Sequence, residues 1–350
     1  MRPAFQCPTH LSNWGDYGPD DQLGRLNLLT EEVVLKAAAE IKTGKTFCLS
    51  LPLDYPGGNI LNPRRTPPQL QPTEREGHPY FNFPMAMLIP GAHDVLSDDK
   101  VTLCLQYSSQ WDSLSHVGAL FDADGDGHAE RVYYNGFKPN QDIQGPADYD
   151  ERNNFAQSDT GLKHSSAKAL DIANFAVKGI QGRGVMVDLA AHYGREPKII
   201  GYDDLMRVME KDKVVVEQGD ILVLHTEFAQ YLLEAGKNPD PHTVHNICTT
   251  LNGQDEKLLQ WISDSGIAAI AADNYGVEYP GGSLTDRCCA LLPLHHHCIF
   301  KLGMPLAELW YLSDLAKWLR ENKRSRFMLT APPLRLPGAV GSPVTPIATV

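Results

Sequence analysis

Short apolar runs that read as strands alternate with helical runs along most of this chain, and that alternation constrains its fold more than any other feature. Strands are predicted at 46–53, 80–89, 101–107, 184–189, 220–225, 267–272 and 326–331. Helices are predicted at 166–177, 203–210, 227–235, 255–265 and 313–322, the last with Leu315, Ala316 and Leu319 at helical spacing behind Ser313 as cap. An earlier helix of about 12 residues starts behind Thr30, with Glu31 and Glu32 at its positive end. Strands interleaved with helices in this way give an α/β fold with a mixed sheet.

Two stretches fall outside that rhythm. Residues 1–29 are rich in Gly and Asp and read as an N-terminal arm with turns at Gly15 and Gly18-Pro19. Residues 56–79 carry Pro56, Pro63, Pro67, Pro68, Pro72 and Pro79, which exclude regular structure, so a long loop is expected there, as a lid, a binding loop or a disordered segment. No Pro/Gly/Ser-rich linker divides the 350 residues, which read as one domain, 1–350, with long excursions.

Composition narrows the function. A net charge of −12 argues against nonspecific nucleic-acid binding. Nothing approaches the roughly 18 consecutive apolar residues of a membrane span, and the first residues have no apolar signal-peptide core. Cys7, Cys48, Cys104, Cys248, Cys288, Cys289 and Cys298 form no C-x-x-C pair and read as reduced, mostly buried thiols, so a cytoplasmic protein is expected. The chain has no G-x-S-x-G, P-loop, H-E-x-x-H or strand-linked G-x-G-x-x-G, which disfavours serine-hydrolase, kinase and dehydrogenase chemistry.

Three constellations carry chemistry. The first is Gln106-Tyr-Ser-Ser-Gln110-Trp-Asp112-Ser-Leu-Ser-His116 at the end of an apolar strand-like run. Even spacing would let Gln106, Gln110, Asp112 and His116 line one cavity, unless Ser108-Ser109 opens a turn. The same residues also suit an edge strand that simply ends in polar groups. The second is His295-His296-His297 followed by Glu308. Imidazole is the commonest metal ligand, but neighbouring helical side chains diverge by about 100°, so one or two at most can face a single site. The third, Asp122-Ala-Asp124-Gly-Asp126-Gly127, fits the start of a calcium loop, although Tyr133 stands where an EF-hand has its closing Glu. It reads either as a structural Ca²⁺ site or as a solvated acidic turn.

The first run resembles, with departures, the H-x-G-T-H-x-D-x-P-x-H signature of the cyclase family of metal-dependent hydrolases, which includes kynurenine formamidases and isatin hydrolases. Gln106 and Gln110 stand where that signature has two metal-binding histidines, Leu114 replaces its proline, and Asp112 and His116 match. The resemblance continues through Trp14-Gly with Asn27-Leu-Leu-Thr30, Gly182–Asp188, Gln218–Thr226, Ala271–Glu278 and Ala331–Pro343. It implies a swivelling β/α/β-type fold, usually oligomeric (dimer or tetramer), with Zn²⁺ or Mn²⁺ activating water for attack on an amide, formamide, lactam or lactone carbonyl. Asp112 then corresponds to a metal carboxylate, His296 and Glu308 to late ligands, and His116 to the general acid/base.

The expectation is therefore one divalent ion on Asp112, His296 and Glu308, with Gln106 and Gln110 as weak ligands or as groups orienting water and substrate. Trp111, Trp310 and Tyr311 are candidates to wall a small-molecule pocket, although each also suits core packing. His225 and Thr226 are secondary substrate-side candidates at a strand end. A metal-free lyase or dehydratase using Asp112 and His116, or a non-catalytic small-molecule binding protein, remain the rivals.

Overall fold

The computed structural model describes residues 10–149, 155–156, 164–279 and 290–350; Cys7, Cys288 and Cys289 lie outside them. Nine strands form one mixed sheet: β1 (Thr46–Cys48), β2 (Gln110–Asp112), β3 (Gln181–Asp188), β4 (Ile221–His225), β5 (Ala269–Ala272), β6 (Leu306–Glu308), β7 (Arg326–Thr330), β8 (Gly341–Pro343) and β9 (Ile347–Thr349). Their order is β1-β9-β7-β3-β4-β5-β6-β2-β8. The inner four, β3 to β6, run parallel, and every pairing outside them is antiparallel.

The physical reason is legible in the strands themselves. Ile221–Leu224 and Ala269–Ala272 are apolar at every position and buried throughout, as a parallel strand covered on both faces requires. The helices α1 (Glu31–Ala38), α2 (Ile172–Lys178), α3 (Tyr202–Asp212), α4 (Phe228–Glu234), α5 (Glu256–Ser265) and α6 (Ser313–Glu321) join or flank these strands. Of these, α1 lies against β3 and β7, and α3 against α5 and β3. Gly184 is needed where β3 meets β7, since a Cβ there would come within 2.4 Å of the Phe327 ring.

Several elements differ from expectation. The strand expected at 80–89 is a two-residue strand at Phe83–Pro84 and a 3₁₀ turn at Met85–Met87. The strand expected at 101–107 ends at Thr102, and the chain turns through 105–109 before resuming at Gln110. The helix expected from 166 begins only at Ile172, capped by Asp171, after Ser166–Ala167 has paired with Ile143–Gln144. The proline-rich segment does hold short ribbons: Gln69–Pro72 pairs with Asp99–Thr102, and Glu74–Arg75 with His78–Pro79. Cys48, Cys104, Cys248 and Cys298 are free thiols, but only Cys248 and Cys298 are buried. Among the described residues no helix is long and apolar enough to cross a membrane.

The N-terminal arm is tied down by side chains reaching main-chain acceptors. Arg25 donates from Nη1 to the carbonyls of Ile262 (2.7 Å) and Ile267 (3.2 Å). The Trp14 indole donates to the Phe300 carbonyl at 2.7 Å, and Asn13 to that of Leu302 at 2.8 Å. The arm thereby clamps the 296–302 segment, which follows directly on His295.

Candidate metal centre

Strand β2 alternates, and its alternation sorts the residues. Gln110 and Asp112 project to one face and Trp111 to the other. Asp112 is wholly buried, and Gln110 Nε2 donates to its Oδ1 at 3.3 Å. Glu308 closes β6 opposite Gln110 in register, so that strand pairing alone brings a second carboxylate beside Asp112.

The imidazole comes from the histidine triplet, and backbone geometry decides which one. Pro293–His295 is a single helical turn that runs into a π-helical turn, His296–Lys301, in which Leu302 N–H reaches back five residues to the His297 carbonyl. The three rings separate completely. His295 turns to the carboxylates: one ring nitrogen, Nδ1, lies 2.7 Å from Glu278 Oε1, and the other, Nε2, lies 3.3 Å from Glu308 Oε1. His296 instead stacks on Phe300, centroids 5.0 Å apart, and His297 bonds Ser263 through Nε2. Burial pushes His296 down to about 4 and His297 to about 3. The late imidazole beside Asp112 and Glu308 is thus His295, where the sequence had pointed to His296.

Ligand atoms of Asp112, His295 and Glu308 all lie within 4.8 Å of one another. Burial raises the Asp112 carboxyl above its ordinary range, partly offset by His116 and reinforced by Glu308. Burial acts most strongly to raise Glu308, but its bond to His295 together with the His295 and Arg65 charges holds it low. For His295 burial favours the neutral ring, yet the two carboxylates prevail and push it up to about 10. Glu278, itself fully buried, accepts from the backbone N–H groups of Leu294 (2.8 Å) and His295 (2.9 Å) as well as from the ring. Non-glycine residues in the left-handed region follow or precede the two acids: Leu309 at φ 58° and Val277 at φ 58°.

This donor set fits a divalent cation. Asp112 Oδ2, Glu308 Oε2 and Gln110 Oε1 are buried acceptors without a hydrogen-bond partner, an arrangement that otherwise carries the full desolvation cost. Two carboxylates, an amide oxygen and one imidazole suit a hard-to-borderline ion. A Glu278 carboxylate on the far nitrogen of His295 is the usual way of fixing a ligating ring.

The other sequence candidates are distributed as follows. His116 is half-buried, with Nε2 3.8 Å from Asp112 Oδ1. Gln106 sits in the turn before β2, its amide against Gly341, where a Cβ would come within 2.4 Å. Trp111 and Trp310 pack edge to face in the core, centroids 5.2 Å apart, and their indoles donate to the carbonyls of Ala331 and Gln110. Neither walls the centre. The Tyr311 hydroxyl reaches Gln230 at 3.1 Å.

His225 and Thr226 belong to a separate polar cluster. The His225 ring bonds Asp188 (2.7 Å) and Ser313 (3.2 Å), Arg320 caps Asp188, and Thr226 donates to Asp273. In the acidic loop, Asp122, Asp124 and Glu130 gather, but Lys138 stands 3.8 Å from Asp124 and 3.6 Å from Glu130, while Asp126 turns to accept the His128 N–H. The expected trio Asp122, Asp124 and Asp126 does not converge.

Glu278 has no role legible in the sequence, since a lone Glu four residues past Asn274 carries no spacing to betray its partner.

A family model described as "Putative cyclase" matches residues 47–279. A solved structure described as a novel cyclase is 31% identical, with a TM-score of 0.73 over 99% of this chain and 100% of that one. Isatin hydrolase A from Labrenzia aggregata, bound to benzyl benzoate, superposes with a TM-score of 0.54 at 11% identity, over 90% of this chain and 95% of its own. An isatin hydrolase bound to the product analogue thioisatinate gives 0.52 at 11%, over 92% and 99%. These last two share the fold. No curated protein matches the chain.

Proposed function

The chain belongs to the cyclase family, and from that premise we propose that it is a metal-dependent hydrolase opening a C–N bond in a small cyclic amide, aryl amide or formamide. A lactone C–O bond is the near alternative on the same residues. The observation that carries this reading is the buried convergence of Asp112, His295 and Glu308, with carboxylate oxygens left unpaired.

A divalent ion such as Mn²⁺ or Zn²⁺, when bound, lowers the pKa of water toward neutrality and polarises a carbonyl oxygen. Asp112, His295 and Glu308 would hold it. Glu278 fixes the His295 ring through Nδ1 and so aims Nε2 at the site. Gln110 restrains Asp112 through the bond to Oδ1 and offers its own buried amide oxygen. His116, half-buried at the edge of Asp112, is placed to pass a proton to the departing nitrogen or oxygen.

Gln106 and Gln110 favour a second reading. With amides in place of two imidazoles, the scaffold could bind a small molecule without hydrolysing it, or use Asp112 and His116 without a metal.

Metal analysis of protein purified without chelator separates these. The hydrolase reading expects stoichiometric metal, chelator-sensitive turnover, and joint loss of metal and activity in Asp112→Asn. Metal-free protein with chelator-resistant activity overturns it. We further propose a cytoplasmic homo-oligomer, dimer or tetramer, which light scattering on the purified protein tests.

A further inference from the structure

Beside the metal centre lies a small recess whose walls come from the segments that build the centre. Gln106 and Tyr107 lie on the turn running into β2. Tyr275 follows Asn274, whose carbonyl accepts the N–H of Leu309, the residue after Glu308, at 3.1 Å. The third wall is the start of the proline-rich loop, pinned on both sides. The Tyr107 hydroxyl donates to the Gly58 carbonyl at 2.8 Å and accepts the Gly57 N–H at 3.1 Å. Asn62 Nδ2 donates to the Tyr275 hydroxyl at 3.3 Å.

Arg65 is carried into the recess on this loop. Its Nη1 donates to the Gln106 carbonyl at 2.7 Å, and its remaining guanidinium N–H groups have no partner among the described residues. Gln106 Nε2, packed against Gly341, is a buried donor without a partner. The recess is narrow, about the size of one water, and Arg65 is the only cationic side chain among the residues that line it.

Charge points the same way. Asp112, Glu278 and Glu308 are three buried carboxylates, so a dication with a neutral His295 leaves one negative charge in excess. The Arg65 charge acts on both Asp112 and Glu308. An anionic substrate approaching this set, on a chain of net charge −12, needs a local cation to bind. A guanidinium with one edge anchored to a main-chain carbonyl and another open is preorganised to take a carboxylate through two N–H bonds.

On the hydrolase reading, we infer that Arg65 grips a free carboxylate on the substrate, so that the preferred substrates are amides bearing a carboxylate a short, fixed spacing from the scissile carbonyl. The competing role for Arg65 is a plain counter-charge for the metal ligands.

Calorimetric titration of the Mn²⁺-loaded protein with the 1,2-, 1,3- and 1,4-benzenedicarboxylates and their monoamides distinguishes the two. One carboxylate of each probe can serve the metal, and the comparison isolates the second. At one spacing the dicarboxylate should bind roughly 10- to 100-fold more tightly than its monoamide, the span expected of a charged hydrogen-bonded pair. Arg65→Met should bring that ratio close to one, and Arg65→Lys should keep part of it, with Mn²⁺ affinity unchanged in both. No preference in the wild type, or a preference that survives in Arg65→Met, overturns the assignment. So does a shift in Mn²⁺ affinity in Arg65→Met that changes the binding of both probes alike, since that is the counter-charge role. Wild-type protein that takes up neither Mn²⁺ nor Zn²⁺ overturns the hydrolase reading itself, and this inference falls with it.

Discussion

Replacing Glu278 by Gln tests whether a residue that touches no substrate governs the metal centre. The wild-type carboxylate accepts three hydrogen bonds: Oε1 takes the His295 ring at 2.7 Å and its backbone N–H at 2.9 Å, and Oε2 takes the Leu294 N–H at 2.8 Å. Gln is the same size and can keep its oxygen at the Oε1 position. Its NH₂ then faces the Leu294 N–H, donor against donor, inside a fully buried site. Leaving that group unpaired costs about 1–3 kcal/mol of stability. The loss of charge also weakens the hold on His295, whose ring is less basic and less well aimed without it. Partners of this kind typically contribute 10- to 100-fold in metal affinity, which corresponds to about 1.4–2.7 kcal/mol. Mn²⁺ titration by calorimetry, with a thermal melt of the metal-free protein, measures both effects separately. The variant should melt lower and bind Mn²⁺ at least tenfold more weakly, while excess metal restores much of its turnover. Affinity within twofold of wild type would refute the reasoning, because His295 would then be oriented without Glu278.

Further expectations concern other parts of the molecule. His116→Ala should lower turnover by roughly 10²–10⁴-fold while metal content and melting stay unchanged, and unaltered turnover would remove His116 from the mechanism. Arg183→Met breaks a buried pair in which the guanidinium meets Asp220 at 2.8 and 3.0 Å; stability should fall by about 3–5 kcal/mol, and a change under about 1 kcal/mol by denaturant titration would contradict it. The His225–Asp188 pair should make stability pH-dependent. Burial opposes both charges, yet their hydrogen bond together with neighbouring charges, Asp273 beside His225 and Arg320 beside Asp188, leaves His225 above its ordinary 6.5 and Asp188 below its ordinary 3.8. The histidine's contribution is complete below 6.5 and disappears as pH rises through the raised folded value, whereas that of Asp188 is lost only as pH falls through its lowered one. Melting curves of wild type and His225→Gln should therefore converge as pH increases above 6.5, and a constant gap would show that the pair contributes no charge-linked stability.

The sequence by itself determined the outline. Apolar runs such as Ile221–Leu224 and Ala269–Ala272 read as strands, and the helices between them followed from spacing and caps such as Thr30 and Asp255. Asp112, Glu308 and His116 were legible because their order along the chain matches a known signature, and Gln106 and Gln110 stood out as departures from it. Tertiary structure decided the rest. No local pattern tells three consecutive histidines apart; a π-helical turn and the position of Glu278 select His295 and send His296 to Phe300. Trp111 lies between Gln110 and Asp112 in sequence but packs away from them, because alternate side chains of a strand face opposite sides of the sheet, and Trp310 joins it after the left-handed Leu309 breaks the strand that ends at Glu308. Glu278 and Arg65 come from segments distant in sequence, and only strand register and loop closure bring them to the centre. Sequence fixes the residue types available for chemistry, but convergence depends on side-chain direction and long-range pairing, which exist only once the sheet has formed.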